Sequence, residues 1–360
     1  MTQKKEQPRL FGIKYSNRDF SKKESWGKNQ FNSSFPASLA AFLYSKELKC
    51  KYLKLNNKFE VEHSEIPVDT LFGEDPTSED IFYAFETQYT PYQQLVLGTL
   101  PRVDLVTQSK KDKTCLAPIE IKLTALPDHT TCDLNENKYG SELVVRPDTI
   151  VYLACSIAEH FVGKLSALNK IFGKKYDTIT DWTEGVNVQP FLQKMIDDLN
   201  SICLNLLDNQ TALVLQPIWK TIGKSPKLAE NCLDCFVWSD LAFTRLFIDS
   251  TQSDLNKGKT SIPRHSRTTI WLFRMLYDFA QNGQFDHEAI IDSLSYNTKN
   301  DKAFAINGKV THKYMKSQEL TKPRVTQIEI KKIILGGGQN LLSPERRFDA
   351  IIYNTPKLFD

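Results

Sequence analysis

Apolar residues along the chain fall into two rhythms, and the change between them marks its organisation. Residues 1–34 are polar and lysine-rich, a basic N-terminal segment with no apolar periodicity. Over 35–48, Leu39, Phe42 and Leu43 recur at helical spacing, with Ser34 placed to cap and Pro36 suited to the first turn. Runs at 51–55 and 59–63 read as strands. A second helix is expected over 79–88, capped by Thr77 or Ser78, with Glu79 and Asp80 in its electropositive first turn. Its stripe is Ile81, Phe82 and Phe85, and Glu86 sits beside it.

The rhythm then shortens. Residues 94–98, 102–107 and 115–124 are brief apolar or β-branched runs separated by turn-forming residues, which predicts a three-stranded antiparallel meander. From Arg146 the helical period returns: Pro147 and Asp148 lead into 150–162, and Phe191, Leu192, Met195, Ile196 and Leu199 stripe a helix over 188–208. A strand follows at 213–219, where Pro217 argues for a sheet edge or strand end. A helix is expected over 268–279, and strands over 325–335 and 348–353 around Gly336-Gly337-Gly338. This predicts an α/β fold with a mixed sheet: a core over 35–220 with helical elaborations, and a C-terminal region over 221–360. A boundary near 250–260 is a further expectation.

Composition narrows the class. Hydrophobic residues make up 41% and charged residues 25% of the 360, as in a folded, soluble protein. No apolar run approaches the roughly 20 residues that span a bilayer, and no secretory h-region opens the sequence, so the expected location is the cytoplasm with no membrane partner. The seven cysteines are too thinly spread for a disulfide framework and are expected as reduced, mostly buried thiols. Cys232 and Cys235 have zinc-knuckle spacing but lack a second ligand pair; buried helical thiols explain them more simply. The net charge of +3 says little, whereas its distribution says more. Between Glu60 and Leu100 lie nine acidic residues and no Lys or Arg, while 299–347 holds eleven Lys/Arg against four Asp/Glu. An acidic stretch followed by basic ones suits a site that handles a polyanion.

The chemistry centres on Pro101-Arg102-Val103-Asp104 and, after fifteen intervening residues, Glu120-Ile121-Lys122. Glu-x-Lys triplets also occur at 47–49, 136–138 and 329–331, but only this one lies in an apolar strand a short turn after another that carries an aspartate. Alternation points Glu120 and Lys122 to one face, and the hairpin brings Asp104 to them. Charges in mid-strand cost desolvation unless paired or metal-bound. Two facing carboxylates call for a divalent cation. Magnesium accepts few protein oxygens and completes its shell with water and phosphate, while a lysine can orient water and offset charge in the transition state. The competing reading is an amphipathic hairpin with an exposed ion pair. Arg264, His265 and Arg267, and Arg346 and Arg347, are candidate DNA contacts by base or phosphate; Lys110 and Lys111, in the turn between the two strands and expected beside the catalytic residues, are candidate phosphate contacts or plain solubilising charges.

Helix, meander with Asp in its second strand, Glu-x-Lys in its third, then helix: this order resembles the PD-(D/E)XK nuclease core. In that superfamily a glutamate on the preceding helix often joins the metal, which implies a third ligand beside Asp104 and Glu120, with Glu86 the best match and Glu79 and Asp80 as further candidates, and Lys122 completing the catalytic set. The stretch Pro-Ile-Glu-Ile-Lys-Leu-Thr-Ala-Leu-Pro-Asp over 118–128, with Ser-Pro-Glu-Arg-Arg-Phe-Asp over 343–349, is similar to the HindVP/HgiDI family of type II restriction endonucleases. The resemblance implies magnesium-dependent cleavage of double-stranded DNA at the palindrome GRCGYC, a homodimer, a C-terminal region completing the DNA-binding cleft, and a methyltransferase of the same specificity as functional partner. Two other readings stay open: a repair or recombination nuclease of the same superfamily, and a DNA-binding protein without catalysis.

Overall fold

The computed structural model describes residues 39–76, 78–122, 124–127, 143–222, 227–258, 260–298, 303–306 and 325–330. The expectations for 1–34, Glu136–Lys138, the glycine run, Arg346, Arg347 and 348–353 lie outside these residues. Helix α1 (39–45) leads into strands β1 (Cys50–Leu55) and β2 (Val61–Ile66), the short helix α2 (Val68–Phe72) and β3 (Ile81–Thr87). Next come β4 (Val103–Ser109), β5 (Cys115–Ile121), β6 (Thr124–Pro127) and β7 (Leu143–Val145), then helices α3 (Pro147–Glu159), α4 (Leu165–Phe172), α5 (Gly185–Val188) and α6 (Leu192–Asn205). Strands β8 (Ala212–Ile222) and β9 (Lys227–Ser239) precede α7 (Asp240–Leu255), α8 (Arg264–Asn282) and α9 (His287–Ser293), with β10 (Phe304–Ile306) and β11 (Val325–Thr326) last.

The frame is a nine-stranded mixed sheet in the order β2-β1-β9-β8-β5-β4-β3, with β6 beside β8 and β11 beside β9. The expected α/β class is therefore met. Pairs β1/β9 and β5/β8 are parallel; β3/β4/β5 is an antiparallel meander. Strand alternation sorts side chains into two cores. Leu53, Val106, Val214 and Trp238 face a large helical layer from α3, α6, α7 and α8. Leu105, Ile119, Ile121 and Leu215 face a smaller one capped by α1 and α2. The stretch 250–260 closes α7 and turns into α8, and both helices pack into the larger core.

Several predicted elements differ. The helix expected over 79–88 is strand β3, whose first residues alternate buried Ile81, exposed Phe82 and buried Tyr83. The aromatic spacing that imitated a helical stripe also suits a pleated strand, and pairing with β4 decides between them. The meander's first strand is therefore β3; residues Thr90–Leu95 form a 3₁₀ turn instead. Strand β8 is interior, not an edge. Its Pro217 lies where the neighbouring strand is broken, since Ile121 pairs with Leu215 and Thr124 with Ile218, so the missing N–H costs little there. The strand expected over 325–335 ends at Thr326, and residues 327–330 turn helical. Thr326 and Glu329 form a reciprocal capping box, with Glu329 Oε2 accepting from Thr326 N at 2.8 Å and Thr326 Oγ1 accepting from Glu329 N at 3.3 Å. Helix α7, absent from the sequence reading, is capped by Ser239, whose side chain accepts from Ala242 N. The described cysteines are free and all but Cys115 are buried, as expected; Cys232 and Cys235, however, lie on β9 and not on a helix.

Candidate active site

Asp104 stands at the start of β4 and Glu120 near the end of β5. The ladder pairs Leu105 with Ile119 and Val106 with Pro118; one step further sets Asp104 opposite Glu120. Opposed residues on an antiparallel pair point to the same face, with Cβ atoms roughly 5 Å apart. The β3/β4 register, Phe85 with Leu105 and Thr87 with Val103, sets Glu86 opposite Asp104 on the other side. Three carboxylates thus form a row across the meander. Glu86 belongs to a strand rather than the predicted helix, is exposed, and has a left-handed backbone (φ 47°) unusual for a non-glycine residue. Among the described residues no three His, Cys, Asp or Glu side chains form a ready-made metal cage.

The row is locked from both sides. Ile121 N donates to Asp104 Oδ2 at 2.7 Å. Lys122 N donates to Leu215 O at 3.0 Å where β5 ends, and the Lys122 ammonium bonds Glu120 Oε1. Helix α3 points its first turn at the same place: fully buried Thr149 donates its hydroxyl to Glu120 Oε1 at 2.9 Å. The loop into β4 is held by Gln88 Nε2 on Leu100 O (2.6 Å), Tyr152 Oη on Pro101 O (3.0 Å) and His287 Nε2 on Thr99 O (3.0 Å). A cavity of about 480 Å³ opens here, lined by Gln88, Arg102, Asp148, His287, Glu288 and Asp292 among others.

Electrostatics mark the row as unfinished. Burial, then the Glu120 charge, push the Asp104 carboxyl up to about 7; Lys122 and the Ile121 N–H oppose this, and Glu86 adds to it. Asp148, in the first turn of α3, is also raised, by desolvation and then Glu120, against the pull of His287, Lys122 and Arg146. A buried Asp104 carboxyl facing the Glu120 charge is what a divalent ion relieves, and magnesium, which keeps most of its shell for water and phosphate, fits a site with two protein carboxylates.

The structure brings together Asp104, Glu120 and Lys122, and places Glu86 beside them. Of the predicted DNA contacts, Arg346 and Arg347 lie outside the described residues, and the described ones fall on two separate elements, the β4–β5 turn and α8. Lys110 and Lys111 lie in the turn at the far end of the β4–β5 hairpin, roughly 20 Å from Asp104 at about 3.3 Å per residue, not beside the site. The Lys110 ammonium meets the Glu79 carbonyl. Arg264 opens α8 half-buried, and His265 bonds Asp254. Arg267 is fully buried: it donates to the Thr298 carbonyl at 3.1 Å and lies 4.3 Å over the Trp271 ring, so it serves the core and not the DNA surface. Sequence reasoning passed over Thr149, Arg102 and His287. Arg102 carried a signal, two residues before Asp104 along an extended chain; His287 had none, being brought from 188 residues beyond Thr99 by the fold.

The HindVP restriction endonuclease family profile matches residues 26–359. This chain belongs to that family. It is 47% identical to the type II restriction enzyme HgiDI of Herpetosiphon aurantiacus, over 98% of both chains. It is 48% identical to the probable type II restriction enzyme HindVP of Haemophilus influenzae, over 98% of this chain and 95% of the other. No solved structure matches it.

Two outcomes follow. A carboxyl whose folded pKa is raised contributes a penalty absent below its unfolded value near 3.8 and growing as pH rises towards about 7. Asp104→Asn should therefore be more stable than the wild type in urea unfolding without divalent ions at pH 8, by on the order of 2–4 kcal/mol, and the gap should close near pH 4; equal stability at pH 8 refutes the penalty on the buried, crowded carboxyl. Arg267→Ala should lose about 2–4 kcal/mol in urea unfolding while leaving the salt dependence of DNA binding unchanged.

Proposed function

We propose that this protein is a type II restriction endonuclease that hydrolyses phosphodiester bonds in double-stranded DNA through a magnesium site at Asp104 and Glu120. The observation that carries the reading is the opposition of these two carboxylates on neighbouring strands, with the Lys122 ammonium on Glu120. It stands within a chain nearly half identical, end to end, to two type II restriction enzymes. Helix, antiparallel meander and Glu-x-Lys strand support membership of the PD-(D/E)XK superfamily.

Each side chain has a part. Asp104 and Glu120 would hold the metal, with Glu86, across from Asp104, as the third carboxylate of the set. Bound there, a magnesium ion would supply Lewis acidity. Lys122 exchanges its contact with Glu120 for the scissile phosphate and the attacking water, offsetting negative charge as it builds. Arg102 lies on the approach, in the wall of the cavity, where a guanidinium suits a neighbouring phosphate. Lys110, Lys111, Arg264 and His265 are contacts to more distant parts of the duplex, and Arg346 and Arg347 read bases. Family resemblance supports GRCGYC as the site. A palindrome cut on both strands is matched by a two-fold axis, hence a homodimer. Its functional partner is a methyltransferase protecting the same sequence, as part of a restriction-modification system in the cytoplasm.

Asp104→Ala and Glu120→Ala should each abolish magnesium-dependent cleavage of plasmid DNA into discrete bands while binding in calcium persists. Near wild-type cutting by either variant places the centre elsewhere. Glu86→Gln should slow cleavage about 10–100-fold, or 1.4–2.8 kcal/mol of barrier; an unchanged magnesium titration removes Glu86 from the site.

A further inference from the structure

We infer that Thr149 is a positioning residue for Glu120, fixing which carboxylate oxygen faces the reaction. The inference rests on the metal-binding reading of Asp104 and Glu120. Two donors meet Glu120, and both take the same oxygen: the Thr149 hydroxyl at 2.9 Å and the Lys122 ammonium. No described residue donates to Oε2, so that oxygen is left for an ion.

The two donors are not equivalent. Lys122 is a flexible stem that must release Glu120 to serve the phosphate. Thr149 is fully buried in the first turn of α3, and its β-branched side chain is stiff about χ1. When Lys122 leaves, Thr149 keeps Oε1 turned inward. The hydroxyl is not occupied in capping its helix either. The Thr149 N–H already donates to Arg146 O at 3.2 Å, and the N-cap residue Arg146 makes no side-chain capping bond. A glutamate on a strand has three side-chain torsions to settle, so one fixed hydrogen bond to a buried acceptor removes most of its freedom.

Thr149→Val keeps the volume and removes the hydroxyl; Thr149→Ser keeps the hydroxyl. With the full chain, three quantities separate positioning from packing: kcat and KM on cognate DNA in magnesium, manganese affinity by calorimetry without DNA, and melting temperature. Thr149→Val should lower kcat about 10–100-fold and weaken manganese binding about 3–10-fold, with KM and calcium-supported DNA affinity within about twofold. Thr149→Ser should restore kcat and manganese affinity to within about threefold. Wild-type kcat and manganese affinity in Thr149→Val, alongside an inactive Glu120→Ala, overturn the inference and leave the metal reading intact. Losses that Thr149→Ser fails to rescue and that track melting temperature also overturn it, in favour of packing. Full cleavage by Glu120→Ala instead overturns the reading beneath it.

Discussion

Burial of two carboxylates set face to face across one β ladder governs this structure. A sheet offers few ways to place charges so close, because each must sit on the same face, at opposed register, and partly out of water. The surroundings answer that strain piecemeal: a backbone amide on Asp104, an ammonium on Glu120, and a helix whose first turn delivers a hydroxyl. None neutralises the row, and Asp104 remains far from its usual carboxylate range. The fold thus holds in place an arrangement that is unfavourable until a cation joins it.

The sheet's topology makes that placement reproducible. β5 runs antiparallel to β4 and parallel to β8, so the Glu-x-Lys segment is fixed on both sides, and it ends where Pro217 interrupts the donors of β8. Lys122 therefore leaves the ladder one residue beyond Ile121, with its backbone still anchored to Leu215. The larger core behind the row, built from α3, α6, α7 and α8, gives α3 a rigid seat from which its N-terminus aims at the carboxylates.

Much of this was legible in the sequence because alternation is a short-range signal. Val103-Asp104-Leu105 and Ile119-Glu120-Ile121 each put a charge between apolar neighbours, and that pattern identifies the strands and the shared face without tertiary knowledge. Helix α3 announced itself through Pro147 and an unbroken apolar run. What failed depended on partners distant in sequence. β3 looked helical because Ile81, Phe82 and Phe85 fit either period, and only β4 selects the strand. Pro217 suggested an edge because the broken neighbour that tolerates it cannot be seen locally. Arg267 suggested a surface cation; its burial follows from Trp271 one turn along and Thr298 beyond the next helix. Charge position along a chain says little about which way a helix will face.

The bond from His287 to the Thr99 carbonyl has a temporal consequence. It closes a loop of 188 residues, among the longest-range contacts described in the molecule, and closing such loops carries an entropic cost that local pairing does not. The meander with its three acids is complete once residue 122 has been synthesised; the wall that α9 adds to the adjoining cavity needs another 170 or so, about ten seconds or more of elongation. During translation the charged row therefore exists in the chain well before the cleft around it can close. Helix α9 makes the cavity a later product of synthesis than the acids it adjoins.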